Sequence, residues 1–428
     1  MRIRTNEQPP AKDDIDRILK DGASSGDHKC FSTLLRRLQK AHFLDSTFRP
    51  VSARTRLLQN YKSDGIVLFL GAGVSVASGI PGWSGLADTL LLKSGIGRGQ
   101  LGVVKKALPS HVAQFELARQ RLGTKGAFVK AIYEGLYQHL SCKAQLEKVP
   151  LKYEQQTTWD GWSAILGLLQ TNDTLSAVGD LLVRDDPNGP KRNPQIHAVL
   201  TFNADNLLEW YCRAKAGGRS VTTLVDRASV GEHPNEIPVY HMHGTLDARG
   251  ENFRSPPASV AANELQELTD DLLTDLVFRE CEYYETIANP VSSVNHTPQS
   301  YLRRFNALFV GTSLDDLNMR RWLYNSFRER VQHRTEYLRE FYWRKYPAAE
   351  YEAQLESRRH FWLRPATEVG EDRVPWRVPK GHVELVMSSL GIQVVWCRDH
   401  RDIQTCIRDL RQHGCDPEFG RRIASYPA

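Results

Sequence analysis

The chain has 428 residues, 41% of them hydrophobic, and a formal net charge of +6. That is apolar material for a sizeable core, and the mild positive balance permits an anionic ligand without requiring nucleic acid. A mean hydropathy of −0.45, no run near the roughly 18 apolar residues of a membrane helix, and no apolar signal core after Met1-Arg2-Ile3-Arg4 together predict a cytoplasmic protein with no membrane partner.

In chain order, a polar opening with Pro9-Pro10 precedes Phe31, Leu34, Leu35 and Leu38, the i, i+3, i+4, i+7 stripe of an amphipathic helix. Residues 1–60 are read as an N-terminal helical extension, and residues 61–428 as the main domain. The apolar run Ile66-Val67-Leu68-Phe69-Leu70 then leads directly into Gly71-Ala72-Gly73-Val74-Ser75. A run of this kind reads as a buried parallel strand. The glycines allow a sharp turn and leave no Cβ between backbone N–H groups and a phosphate, and Ser75 can donate a hydroxyl or cap the following helix. The same glycines also suit a strand-to-helix turn that needs only close packing. Val76 stands where the dinucleotide fingerprint G-x-G-x-x-G has its third glycine, which weakens a hydride-transfer reading. No G-x-x-x-x-G-K-[ST] occurs, which excludes a P-loop NTPase.

Residues 84–190 read as a helical insertion. Trp159, Trp162, Ile165, Leu166 and Leu169 form one core-facing stripe within it, and Asp185–Pro190 form a surface loop. Strand signals return at 198–202, 238–242, 307–310, 361–363 and 393–396, separated by helical stretches. The alternation predicts an α/β fold: a Rossmann-like, doubly wound parallel sheet whose ligand lies beyond the carboxyl ends of the strands. Those ends carry Thr201-Phe202-Asn203-Ala204-Asp205, then His241-Met242-His243-Gly244, then Gly311-Thr312-Ser313-Leu314-Asp315-Asp316. His241 reads as a supporting or core histidine. Asp315 and Asp316 read as caps of a helix that begins near Leu317. Seven scattered cysteines without a C-x-x-C pair argue against a zinc ribbon or a thioredoxin-like site, and predict reduced thiols.

Taken with the Gly71–Ser75 loop, these motifs resemble, in order and spacing, those of the Sir2 (sirtuin) superfamily, from about residue 60 onward. The resemblance implies NAD+ as ligand and substrate, and the lack of cysteine pairs at zinc-ligand spacing leaves no metal to expect. By motif, Gly71, Ala72, Gly73 and Ser75 would hold the pyrophosphate. Ile80, Pro81 and Asp205 would line the nicotinamide end, and Trp83 and Thr201 would be further cofactor-binding residues. Gly311, Thr312, Ser313 and Asp316 would meet the phosphate and adenosine side. Asn203 and His243 would be the catalytic pair at the nicotinamide ribose. The residue types suit that chemistry: an amide oxygen can hold a water or a ribose hydroxyl, and an imidazole can take its proton.

The chain departs from protein-deacylating sirtuins. It lacks their paired zinc-binding cysteines, it has Gly82-Trp83-Ser84 where they carry an acidic residue, an aromatic and an arginine, and Phe202 replaces a glutamine. Water then becomes the natural acceptor. The pattern looks like the NAD+-hydrolysing domains of bacterial anti-phage systems, which implies a homo-oligomer and a defence partner such as a HerA-like ATPase. A zinc-less deacylase or ADP-ribosyltransferase, and a non-catalytic NAD or ADP-ribose sensor, are the alternatives. The arginine- and aromatic-rich stretch 320–345 is diluted by Glu329, Glu336 and Glu340 and reads as a solvated helix, with a nucleic-acid or partner surface as the alternative.

Overall fold

A five-residue run with every side chain buried fits only the middle of a sheet covered on both faces, and Ile66–Leu70 takes that place. The computed structural model describes residues 52–146, 159–183, 195–216, 221–224, 237–246, 277–288, 292–341, 360–368 and 380–413. The stripe from Phe31 to Leu38, the side chain of Trp159 and the loop 185–190 lie outside the described residues.

Helix α1 (Ala53–Ser63) leads into β1 (Ile66–Leu70), which is followed by α2 (Trp83–Lys93), α3 (Leu101–Ala107), α4 (His111–Leu122), α5 (Lys125–Leu146), α6 (Trp159–Gln170) and α7 (Asp173–Leu182). Next come β2 (Ile196–Thr201), α8 (Leu207–Ala216), β3 (Val221–Leu224), β4 (Ile237–His241), α9 (Glu280–Ala288) and α10 (Ser293–Arg304). The chain continues through β5 (Asn306–Val310), α11 (Leu317–Phe341), β6 (His360–Pro365), α12 (Lys380–Ser388), β7 (Ile392–Cys397) and α13 (His400–His413). The described residues from Ala53 to His413 belong to one compact unit.

The strands form a seven-stranded sheet in the order β3-β4-β2-β1-β5-β6-β7, and every pairing is parallel. The α/β, doubly wound architecture read from the sequence is therefore present. From β1 the chain builds outward first through β2 and later through β5, so the loops after β1 and β5 flank a topological switch point, where open α/β sheets bind ligands. Strand β3 is the one element of the sheet that the apolar-run reading missed. Its sequence, Val-Thr-Thr-Leu, contains no apolar run.

Alternation along β1 divides the core. Ile66, Leu68 and Leu70 join residues of α1, α2, α4 to α8 and α13, whereas Val67 and Phe69 join residues of α10, α11 and α12. Ile165 and Leu169 of α6 are buried in the first layer, with Trp162 and Leu166 packed against it. In α11, Met319, Trp322 and Leu323 are buried in the second layer. Arg321 donates to Asn295 at 2.6 Å and Arg330 to the Leu302 carbonyl at 2.7 Å. The early part of this arginine-rich helix thus buries Trp322 and Phe327 and ties Arg321 and Arg330 to α10, while Tyr324 and Arg328 stay exposed.

The expected helix directly after the glycine turn is not there. Two single-turn 3₁₀ segments, Ala72–Val74 and Val76–Ser78, intervene, and α2 begins only at Trp83 with Gly82 at its cap. Ser75 accordingly makes no helix-capping hydrogen bond. No described helix is long and apolar enough to cross a membrane.

Candidate active site

The loop after β1 presses against the loop after β5. A Cβ on Gly71 would lie 2.6 Å from the Gly311 carbonyl oxygen, and one on Gly73 would lie 2.8 Å from Gly311 Cα. Gly311 itself has φ +66°, and a Cβ there would meet Val74 N at 2.6 Å. These glycines are required by a backbone-to-backbone approach. Gly71 N–H donates to Val310 O, Gly73 N–H to Gly311 O, and Ser75 N–H to Ala72 O. Of the four residues that the motif assigns to the pyrophosphate, three thus spend their N–H groups on shaping the loop. Asn172, fully buried at the start of α7, clamps the loop from below: its Nδ2 donates to Val74 O at 2.8 Å and to Ser78 Oγ at 2.9 Å. Nothing in the sequence marked Asn172 for this role beyond its capping position.

Ser75 turns inward. Its hydroxyl donates to Asp205 Oδ1 at 2.9 Å and accepts from Asn203 Nδ2 at 3.2 Å. Asp205 also accepts from Leu207 N–H at 3.3 Å at the start of α8. Burial pushes the Asp205 carboxyl up to about 6; the Ser75 and Leu207 hydrogen bonds pull it the other way. Asn203 is held at three of its four polar atoms. Its N–H donates to Thr201 Oγ1, its carbonyl meets His241 Nδ1 at 3.0 Å, and its Nδ2 meets Ser75. Its side-chain oxygen is buried and has no partner among the described residues.

The two histidines separate. Strand β4 ends at His241, so the alternation of strand side chains does not extend to His243. His241 places Nε2 2.6 Å from Glu209 Oε1 of α8 and Nδ1 3.0 Å from Asn203 O. Burial opposes its charge, but the Glu209 carboxylate outweighs burial and raises the His241 pKa. Both ring nitrogens face acceptors, so neither has a lone pair free for a metal. Among the described residues no group of three or more His, Cys, Asp or Glu is placed to hold one.

His243 sits in an aromatic box, with its ring 5.5 Å from Trp83, 5.2 Å from Phe202 and 5.4 Å from Tyr283, each edge to face. Burial there lowers its pKa, against the pull of Asp316 and Glu282. The neutral imidazole places Nε2 3.2 Å from the Tyr283 hydroxyl, and its Nδ1 is buried with no partner among the described residues. The residues that replace the deacylase glutamine and follow the Gly-Ile-Pro turn, Phe202 and Trp83, are therefore walls of the His243 site.

A narrow cleft opens on Asn203 and Asp205, lined also by Ala72, Ile80, Pro81, Trp83, Phe202 and Phe278; His243 stands behind two of these walls, Trp83 and Phe202. Thr312 supports the β5 side: its carbonyl accepts from Trp362 Nε1 at 2.9 Å. Asp316 Oδ1 accepts from Met319 N–H at 2.8 Å, which caps α11 as expected, and its Oδ2 accepts from Tyr283 at 3.1 Å. Ser313 is exposed, and none of the site's hydrogen bonds described above involves it. Tyr283 and Phe278, from the α9 region, went unread because no motif surrounds them.

Residues 197–367 match a family model described as a SIR2-like domain. The matched span contains Thr201, Asn203, Asp205, His243, Tyr283 and the 311–316 loop, and supports the sirtuin superfamily, whose members are typically NAD-dependent enzymes. It is less than half of the chain and leaves out β1 with its glycine turn. No curated protein matches the chain.

Proposed function

We propose that the protein is an NAD+ glycohydrolase that releases nicotinamide and ADP-ribose. The observation that carries this reading is the pair of buried polar atoms, Asn203 Oδ1 and His243 Nδ1, that no described residue satisfies. A buried polar atom left without a partner costs about 1–3 kcal/mol, so the pair calls for a ligand that brings hydroxyl donors. A ribose and an attacking water are such donors, and the SIR2-like match supports a dinucleotide as the source of the ribose.

In this reading Asn203 Oδ1 orients a water or ribose hydroxyl. The bond between ribose C1′ and the nicotinamide nitrogen breaks, its electron pair leaving with nicotinamide, and the water oxygen bonds to C1′. The water's proton passes to His243 Nδ1 and on to solvent. Asp205 accepts from the carboxamide NH₂, with Ile80, Pro81 and Trp83 around the leaving ring. The loops at Gly71–Ser75 and Gly311–Ser313 border the phosphates. Water as acceptor is supported by Trp83 and Phe202, whose rings stand against His243, and by the lack of paired cysteines for a peptide-binding zinc module. We further propose, on the family resemblance, that the activity serves anti-phage defence by depleting NAD+ and is released by self-assembly or by a partner protein such as a HerA-like ATPase.

The test is nicotinamide release from NAD+, followed by chromatography across a protein concentration series. Asn203→Ala and His243→Ala are each expected to lower turnover by about 10²–10⁴-fold, and an acetyl-lysine peptide is expected to leave it unchanged. Full turnover in both variants, or nicotinamide release that depends on the peptide, would overturn the reading.

A further inference from the structure

Two side chains outside the motif pair, Asp316 and Tyr283, form a directional relay onto His243. A carboxylate only accepts hydrogen bonds, and a tyrosine hydroxyl has one proton to give. Asp316 Oδ2 lies 3.1 Å from the Tyr283 hydroxyl, which donates to it. With that proton committed, the Tyr283 oxygen can meet His243 Nε2, 3.2 Å away, only as an acceptor. The proton on the neutral imidazole must then sit on Nε2, and the bare lone pair on Nδ1, the nitrogen with no partner among the described residues.

We propose that Tyr283 and Asp316 are positioning residues that hold His243 in its Nε2–H tautomer, so that Nδ1 is the proton-accepting atom. The tautomer is a property of the free chain. Its kinetic consequence rests on the NAD+-cleaving reading. The polarity of the relay is set by Asp316, and Asp316→Asn reverses it without removing an atom. The asparagine oxygen keeps the Met319 N–H that caps α11, while its NH₂ group donates to the Tyr283 oxygen. The tyrosine proton then turns toward Nε2 and drives the imidazole proton to Nδ1, where it blocks the base. Tyr283→Phe deletes the relay and leaves the tautomer unbiased.

Nitrogen-15 spectra of the full chain labelled at histidine, with His243→Gln to identify the signals, read the tautomer directly. Wild type is expected to show a protonated Nε2 and an unprotonated Nδ1, Asp316→Asn the reverse, and Tyr283→Phe a mixture. Turnover is expected to fall by at least about 100-fold in Asp316→Asn and by less in Tyr283→Phe, with KM for NAD+ little changed. A merely structural bridge predicts the opposite order, because asparagine is isosteric and keeps the helix cap. An Nδ1–H imidazole in wild type, or wild-type turnover in Asp316→Asn, overturns the proposal. Should Asp316→Asn fail to fold, the wild-type and Tyr283→Phe spectra still decide it. If wild type releases no nicotinamide at all, the functional reading fails while the spectra continue to test the relay.

Discussion

Asp205 is buried as a carboxyl whose proton leaves only near pH 6, and that makes it a liability to the fold. Its folded value lies above its usual 3.8, so between about pH 4 and 6 the native chain keeps a proton that the unfolded chain has released. Stability from this group therefore falls as pH rises through that window, and above it the folded state carries the full penalty, about 3 kcal/mol at 1.36 kcal/mol per unit. Asparagine at this position retains an oxygen for Ser75 and Leu207 and removes the buried charge. Asp205→Asn is expected to stabilise the chain above pH 6 by a few kcal/mol, to gain little below pH 4.5, and to lose most NAD+ cleavage. Urea unfolding at pH 4.5 and pH 8 separates the cases, and a variant less stable than wild type at pH 8 would contradict the argument. Destabilisation of this kind marks a group kept for function.

At the scale of elements, the pair that holds the site together joins α8 to the end of β4. Glu209 and His241 are both buried and 2.6 Å apart, and the same imidazole supports the carbonyl of Asn203. Removing one member leaves the other charge buried, so Glu209→Ala is expected to destabilise the fold by about 3–5 kcal/mol at pH 6. Because the folded pKa of His241 is raised, this contribution is complete below pH 6.5 and is lost as pH rises through the raised value. The gap between wild type and variant, measured by urea unfolding, should narrow at alkaline pH; a gap that widens there would contradict this account. The sequence carried the motif half of this geometry well. Asn203, Asp205 and His243 follow apolar runs, and strands of a parallel sheet present their carboxyl ends along one edge. Glu209, Asn172 and Tyr283 could not be read in the same way, since each acts through long-range contacts that leave no local pattern. The glycine turn was legible as a turn, but the loop it packs against comes from residue 311, and only the adjacency of β1 and β5 makes that contact. The strand order is likewise a product of crossover and packing.

Over the whole molecule, the open question of organisation lies at the first described helix. The sequence suggested a boundary near residue 60, yet α1 runs from Ala53 to Ser63 and is built into the sheet's first core layer. Leu57 is fully buried and Tyr61 nearly so, and the Tyr61 hydroxyl accepts from Gln195 N–H at 3.4 Å, next to β2. Arg54 reaches Asp409 at 2.6 Å and Asp402 at 3.6 Å, both on α13. These ion pairs are partly exposed and worth at most about 1 kcal/mol, whereas deleting a buried leucine side chain costs about 2–5 kcal/mol. The apolar anchor therefore decides whether α1 is part of the catalytic body. Leu57→Ala in the full chain is expected to cost as much as Leu68→Ala in the central strand, with a single unfolding transition by calorimetry and urea. A loss below about 0.5 kcal/mol, the usual size of a surface change, would make α1 an appendage. A loss comparable to that of Leu68→Ala would place α1 in the same cooperative unit as the central strand, seated against the β7 side of the sheet and the start of β2.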